Sequence, residues 1–164
     1  MTRTAAIGLG SNLESQWGAR EENLREAVRR LGVLGQVTAV SAFYQTAPVG
    51  YAAQPDFLNA ALVLETALEP LELMRALLAI ERAMGRDRSS APPKGPRVID
   101  LDLLLMDDVT ICESGGDVEL TLPHPAMSQR RFVLEPLAEI APAMRDPATG
   151  RTVAELLAEL DAIA

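Results

Sequence analysis

Two carboxylates stand two residues apart in an aliphatic run, Val98-Ile99-Asp100-Leu101-Asp102-Leu103-Leu104-Leu105-Met106. Successive side chains of a strand point to opposite faces. Asp100 and Asp102 would therefore share one face, with Ile99, Leu101, Leu103 and Leu105 on the other. Their Cα atoms would lie roughly 6–7 Å apart, so both could reach a pair of hard cations roughly 3.5–4 Å apart. Donor sets made only of oxygen favour magnesium over zinc. On spacing alone, the same pair equally describes the solvent side of an edge strand.

The stretch just before it shifts that balance. Residues 81–97 hold five basic side chains (Arg82, Arg86, Arg88, Lys94, Arg97) against two acidic ones (Glu81, Asp87), a local balance of +3 in a chain of net charge -8. Cations beside paired carboxylates suit a polyphosphate, with metals bridging its oxygens on one side and guanidinium forks holding the rest. Between them, Ser89-Ser90-Ala91-Pro92-Pro93, flanked by Gly85 and Gly95, reads as a loop able to close over a ligand.

Composition limits the alternatives. With 164 residues, 48% of them hydrophobic, the chain has material for one substantial core and is read as a single domain over 1–164. One cysteine, Cys112, excludes an intramolecular disulfide framework, and one histidine, His124, excludes a histidine cluster. A reducing cytoplasm and a monomer are expected. No apolar run is long enough for a membrane span. The acidic balance argues against a nucleic-acid partner, which would need a long basic face. The anionic ligand must be small and held locally.

These residues need elements to position them. Residues 4–9 read as a first strand ending in Gly10-Ser11-Asn12, where glycine lets the backbone come close to a ligand. Gly8-x-Gly10 lacks the third glycine and the Lys-Ser/Thr pair of a Walker loop. From Arg20, residues Leu24, Ala27, Val28 and Leu31 recur at helical spacing, and Gly32 follows. Residues 37–44 are rich in β-branched and aromatic types and read as a second strand, followed by a long loop over 45–55. The third strand runs from Phe57 to Thr66. It puts Phe57, Asn59, Ala61 and Val63 on one face, and Leu58, Ala60, Leu62 and Leu64 on the other.

The aliphatic face belongs to the core, which leaves an aromatic ring and an amide where a flat heterocycle could stack and hydrogen-bond. Phe57 alone would pass for core packing, but a mid-strand amide such as Asn59 needs partners. Pro70 opens a second helix through Leu73, Leu77, Ile80 and Met84, and Gly85 ends it. A small hairpin is expected in 109–122, a short helix cut by Pro136 in 132–140, and a last amphipathic helix through Val153, Leu156, Leu157 and Leu160. The order strand, helix, strand, strand, helix, strand matches an α+β, ferredoxin-like βαββαβ sandwich with an appended C-terminal hairpin and helices. Both long helices would then pack on one sheet face, leaving Asn59, Asp100 and Asp102 on an open face.

Four separated motifs, in order, resemble those of the 6-hydroxymethyl-7,8-dihydropterin pyrophosphokinase family. They are Gly10-Ser11-Asn12-Leu13; Gln54-Pro55-Asp56-Phe57-Leu58-Asn59-Ala60; Gly85-Arg86-Asp87-Arg88 with Gly95-Pro96-Arg97-Val98-Ile99-Asp100-Leu101-Asp102-Leu103-Leu104; and Pro123-His124-Pro125. The resemblance implies transfer of the β,γ-pyrophosphoryl group of ATP to the hydroxymethyl group of the pterin, with AMP released. It implies Asp100 and Asp102 as ligands of two magnesium ions, with Arg86 and Arg97 completing the catalytic set. Arg86, Arg88, Lys94, Arg97, Ile99, His124 and Arg130 would bind ATP. Thr46, Pro48, Val49, Phe57, Asn59 and Phe132 would bind the pterin.

The chain departs from the family pattern in two places. Pro93 and Lys94 stand where the family often carries arginine and tryptophan, so Lys94 would supply charge without a bidentate fork. Pro125-Ala126 replaces a common Tyr-Asp after the histidine. Without the resemblance, His124 reads as a structural histidine in Pro-His-Pro. The alternatives are a non-catalytic nucleotide- or pterin-binding module on the same fold, and a nucleotidyltransferase acting at the α-phosphorus. Identifying the released product separates them.

Overall fold

A computed structural model of the chain describes residues 2–48, 53–85, 97–116 and 118–163. The loop expected over 86–94 lies outside those residues, as does the middle of the one expected over 45–55. Among the described residues the chain runs β1 (Arg3–Ser11), α1 (Arg20–Leu31), β2 (Gln36–Val40), β3 (Tyr44–Thr46), β4 (Phe57–Thr66), α2 (Pro70–Ala83), β5 (Asp100–Met106), β6 (Ile111–Gly115), β7 (Val118–Leu122), a single 3-10 turn at Met127–Gln129, α3 (Arg131–Ile140) and α4 (Val153–Ala162).

The main sheet is antiparallel in the order β2-β4-β1-β5, with β3 also paired to β4, and β6 and β7 form a separate hairpin. Helices α1 and α2 cover one face. Leu24, Ala27 and Leu31 of α1 and Leu73, Leu77 and Ile80 of α2 meet Ile7, Leu58, Leu62, Leu64, Leu101 and Leu103 of the sheet in one buried cluster. Full burial of each such leucine contributes about 1.5–3 kcal/mol. Helix α1 carries Glu21 and Glu22 in its first turn and Arg29 and Arg30 in its last, complementing its macrodipole. Pro70 sits at the start of α2 beside a Glu69–Glu72 capping box, and Gly85 leaves that helix at φ +95°.

The opposite face is not open along its whole length. Helices α3 and α4 form a third layer, where Val133, Leu134, Leu137, Val153 and Leu156 pack on Ala6, Ala61, Leu104 and Leu105. Three expectations are corrected with it. Leu105 does not share a face with Leu101 and Leu103, because a bulge opposite Ala6 and Ile7 sends Leu104 and Leu105 both into the third layer and returns Met106 to the first cluster. Pro136 does not cut its helix, for α3 continues through it to Ile140 with Pro136 itself buried. The strand expected over 37–44 is two strands. Ser41 separates them, buried at the break, exchanging backbone bonds with Ala61: its N–H donates to the Ala61 carbonyl and its hydroxyl accepts from the Ala61 N–H, both at 2.9 Å.

Candidate active site

The third layer stops partway along the sheet, and the uncovered end is a cavity open to solvent. Strand register builds its floor. Gly10 of β1 lies opposite Asn59 of β4 on one side and Asp100 of β5 on the other, and Gly8 lies between Ala61 and Asp102 in the same way. A cross-strand row thus places an amide, a bare backbone and a carboxylate side by side. Glycine keeps the middle of the row clear, since a Cβ on Gly10 would lie 3.0 Å from Asn59 Oδ1 and 3.6 Å from Phe57 Cδ1. Thr46 pairs with Phe57 one step along, and the Asn59 amide donates to the Thr46 hydroxyl. Phe132, Val133 and Arg130 close the cavity from α3 and the turn before it, and Arg97, Asp100 and Asp102 close it from β5 and its entry.

A guanidinium and an imidazole approach the carboxylate end. Arg97 Nη1 is 3.8 Å from Asp100 Oδ2, and His124 Nε2 is 4.0 Å from Asp102 Oδ1. The imidazole titrates below its ordinary 6.5, chiefly because burial penalises its charged form and next because of the Arg130 cation, with Asp100 opposing. His124 Nδ1 accepts the Ala126 N–H at 3.2 Å, so the neutral ring carries its proton on Nε2 and presents a donor toward the carboxylate end. The Arg130 guanidinium lies 5.7 Å from the centroid of the Phe132 ring, within cation–π range.

The structure therefore brings together Thr46, Phe57, Asn59, Arg97, Asp100, Asp102, Arg130 and Phe132 at one cavity, with His124 at its edge. Ile99 is different: its side chain is fully buried in the first cluster, so any ligand contact there falls to its backbone. Pro48 is half-buried beyond β3 and does not line the cavity. Val49, Arg86, Arg88 and Lys94 lie outside the described residues.

The supporting roles of three residues escaped the sequence reading. Glu81, 1% exposed on α2, accepts the Leu101 N–H at 2.8 Å and so fixes the strand between the two aspartates. Glu139 on α3 accepts the Tyr44 hydroxyl at 2.5 Å and the Ala42 N–H, tying the layer that carries Phe132 to the strand that carries Thr46. Asn12, just past β1, bonds to both Gln54 and Arg97. Their partners lie 20 to 97 residues away in the chain, so no local signal shows these bonds.

The aspartates fit a hard, hydrated cation. Both carboxylates are part-exposed at the cavity, and among the described residues no third histidine, cysteine or acidic group joins them. Two oxygen donors suit magnesium, which keeps waters and takes substrate phosphates as further ligands, rather than a closed all-protein cage.

The sequence model of the family described as 7,8-dihydro-6-hydroxymethylpterin-pyrophosphokinase (HPPK) matches residues 6–142. The chain belongs to this family. A 2-amino-4-hydroxy-6-hydroxymethyldihydropteridine pyrophosphokinase of Synechocystis sp. is 39% identical over 98% of this chain and 77% of its own length. The enzyme of the same name from Bacillus subtilis is 43% identical over 91% of this chain and 84% of its own. Among solved structures, a Plasmodium falciparum HPPK-DHPS chain superposes with a TM-score of 0.75 at 16% identity, over 97% of this chain and 45% of that longer one. That likeness concerns the fold, and the described chain spans under half of the solved protein. No helix among the described residues is long and apolar enough to cross a membrane.

Proposed function

We propose that this cavity transfers the pyrophosphoryl group of ATP to the hydroxymethyl group of 6-hydroxymethyl-7,8-dihydropterin, a step of folate biosynthesis. The observation that carries the reading is the row Asn59, Gly10, Asp100. It sets a cradle for a flat heterocycle against paired carboxylates, within one cavity and at the spacing of adjacent strands.

Phe57 and Phe132 offer ring faces to the pterin, and Asn59, held by Thr46, offers its amide to the ring edge. Arg97 and Arg130 bind phosphate oxygens through guanidinium forks, and His124 adds its Nε2–H donor. Arg86, Arg88 and Lys94 join them by position in the family motif. Asp100 and Asp102 would hold two magnesium ions, which would supply positive charge to the triphosphate and lower the pKa of the attacking hydroxyl. The pterin oxygen forms a bond to the β-phosphorus, the bond from that phosphorus to the α,β-bridging oxygen breaks, the hydroxyl proton passes to solvent, and AMP leaves. The protein contributes alignment and charge, as phosphoryl transfer requires.

The chain 1–164 is read as one pyrophosphokinase domain of ferredoxin-like type, supported by the strand order β2-β4-β1-β5 with two helices on one face. It is read as a monomer working in the cytoplasm, where ATP and a reduced Cys112 coexist.

The test is incubation with ATP, magnesium and the pterin, followed by mass analysis. Pterin diphosphate and AMP are expected in equal amounts. Release of pyrophosphate, or ADP with a pterin monophosphate, overturns the reading.

A further inference from the structure

One carboxylate joins helix α3 to strand β3. Glu139, in the last turn of α3, accepts the Ala42 N–H at 3.2 Å through Oε1 and at 3.1 Å through Oε2, and its Oε1 also accepts the Tyr44 hydroxyl at 2.5 Å. The strand it grips is three residues long and, among the described residues, pairs with β4. That register sets Tyr44 opposite Asn59 and Thr46 opposite Phe57, and the Thr46 hydroxyl accepts from the Asn59 amide. Tyr44 and Thr46 are two residues apart in the strand and so share a face, the one from which Tyr44 reaches Glu139. Seven residues, close to two full turns, separate Phe132 from Glu139. Both therefore lie on one side of α3, roughly 10 Å apart along its axis. Phe132 and Thr46 meet at the cavity, so α3 spans β3 like a bar pinned at one end by Glu139, with the cavity at the other.

We infer that Glu139 is a positioning residue for the heterocycle, which sets the gap between Phe132 and the Thr46–Asn59 pair and so how closely a flat ring is held. The inference rests on the pterin reading above. Pairing with β4 fixes the register of β3, but a short strand bonded along one edge can still tilt toward the layer beside it or away from it. The contacts of Val133, Leu134 and Leu137 hold α3 on the sheet, and apolar contact is non-directional. Hydrogen bonds to a carboxylate are directional and short. Two donors of the strand segment, one from its backbone and one from a side chain, converge on Glu139, and that removes the tilt. Thr46 carries the constraint on to Asn59. The described bonds of Glu139 reach neither Arg97 nor the aspartates, so the phosphate end stands apart from it. Glu139 is also exposed. Its removal leaves the former donors to water rather than unpaired, and stability changes little.

The test is steady-state kinetics on the full chain with each substrate varied in turn, together with a thermal melt, in the parent, Glu139→Ala, Glu139→Gln and Tyr44→Phe. In Glu139→Ala the pterin KM is expected to rise by about tenfold, the scale of a sub-ångström misplacement, with the ATP KM and the melting temperature near those of the parent. Glu139→Gln keeps an acceptor oxygen and is expected to recover most of the loss. Tyr44→Phe keeps the ring and the Ala42 bond, so a partial rise is expected, and it carries the test if Glu139→Ala does not fold. A residue that merely supports the fold lowers the melting temperature and moves both KM values together. A pterin KM unchanged in every folded variant, or both KM values rising equally, overturns the inference while formation of pterin diphosphate by the parent still upholds the proposed function. A parent that forms no pterin diphosphate overturns the function itself.

Discussion

Gly10→Ala adds a single methyl group at the centre of the site. Its Cβ would lie 3.0 Å from Asn59 Oδ1, so that oxygen must give by a few tenths of an ångström. Asn59 has little freedom to do so, being 6% exposed and bonded through its amide to Thr46. If the side chain swings, a buried polar group loses its partner, at about 1–3 kcal/mol. Against that, alanine in a strand recovers roughly 0.5–1 kcal/mol of backbone entropy relative to glycine. The fold should therefore lose only about 1 kcal/mol, the difference between those two terms.

Recognition of the pterin should suffer more, since the methyl group also approaches Phe57 Cδ1 at 3.6 Å and occupies space between ring and amide. Misplacement on the order of 1 Å costs about a hundredfold, so a smaller shift should raise the pterin KM by about tenfold. The ATP KM should stay near that of the parent. Steady-state kinetics with each substrate varied, together with a thermal melt, reads all three quantities. Gly8→Ala is the internal control, because its Cβ meets only Leu104 at an ordinary 3.5 Å. A pterin KM unchanged in Gly10→Ala, or both KM values rising equally, would refute the row as the pterin's floor.

Asp100→Asn and Asp102→Asn keep side-chain shape but remove charge, and each should lose several kcal/mol of transition-state stabilisation with the melting temperature held; near-parent turnover at saturating magnesium contradicts their role. His124 is the chain's single histidine, so one imidazole resonance reports it by NMR. Its midpoint in the free protein should fall below 6.5, because burial and then Arg130 depress it. With the folded value depressed, this group's contribution to stability is present above 6.5 and lost as pH falls toward the folded midpoint; a midpoint above 6.5 removes the burial argument. Tyr44 should titrate at about 12, raised first by the hydrogen bond to Glu139, then by burial and the charges of Glu139 and Glu135. Its contribution is fully present below 10 and lost as pH rises through about 12. In Glu139→Gln the phenol absorbance titration should move back toward 10, and superimposable curves would show that the bond does not form.

Much of the site could be read along the chain, because its chemistry is written in strand alternation. The aliphatic set Leu58, Ala60, Leu62, Leu64 left Phe57 and Asn59 facing away from the first core, and Asp100 and Asp102 followed the same rule. Alternation failed where it had no contrast. Leu103-Leu104-Leu105-Met106 is apolar throughout, so nothing in it marks the bulge that turns Leu104 and Leu105 to the third layer. Pro136 reads as a helix breaker, yet burial of Val133, Leu134 and Leu137 on the sheet outweighs the bond it forgoes. Ser41 ends β2 by bonding the Ala61 backbone, a partner twenty residues on in sequence. Asn12, Glu81 and Glu139 belong to the same class: each acts on a backbone group that only the fold brings near.

The unfinished third layer makes the substrates part of the architecture. Val133 belongs to the second buried cluster and to the cavity wall at once, and Phe132 packs against that cluster while lining the cavity. A bound ring between Phe57 and Phe132 would extend this interior the way a keystone completes an arch. Occupancy then becomes a term in the protein's lifetime: ligand at about a hundredfold over its Kd adds about 2.7 kcal/mol against unfolding. Molecules idle for want of substrate would be the first to open to proteases, and working ones the last.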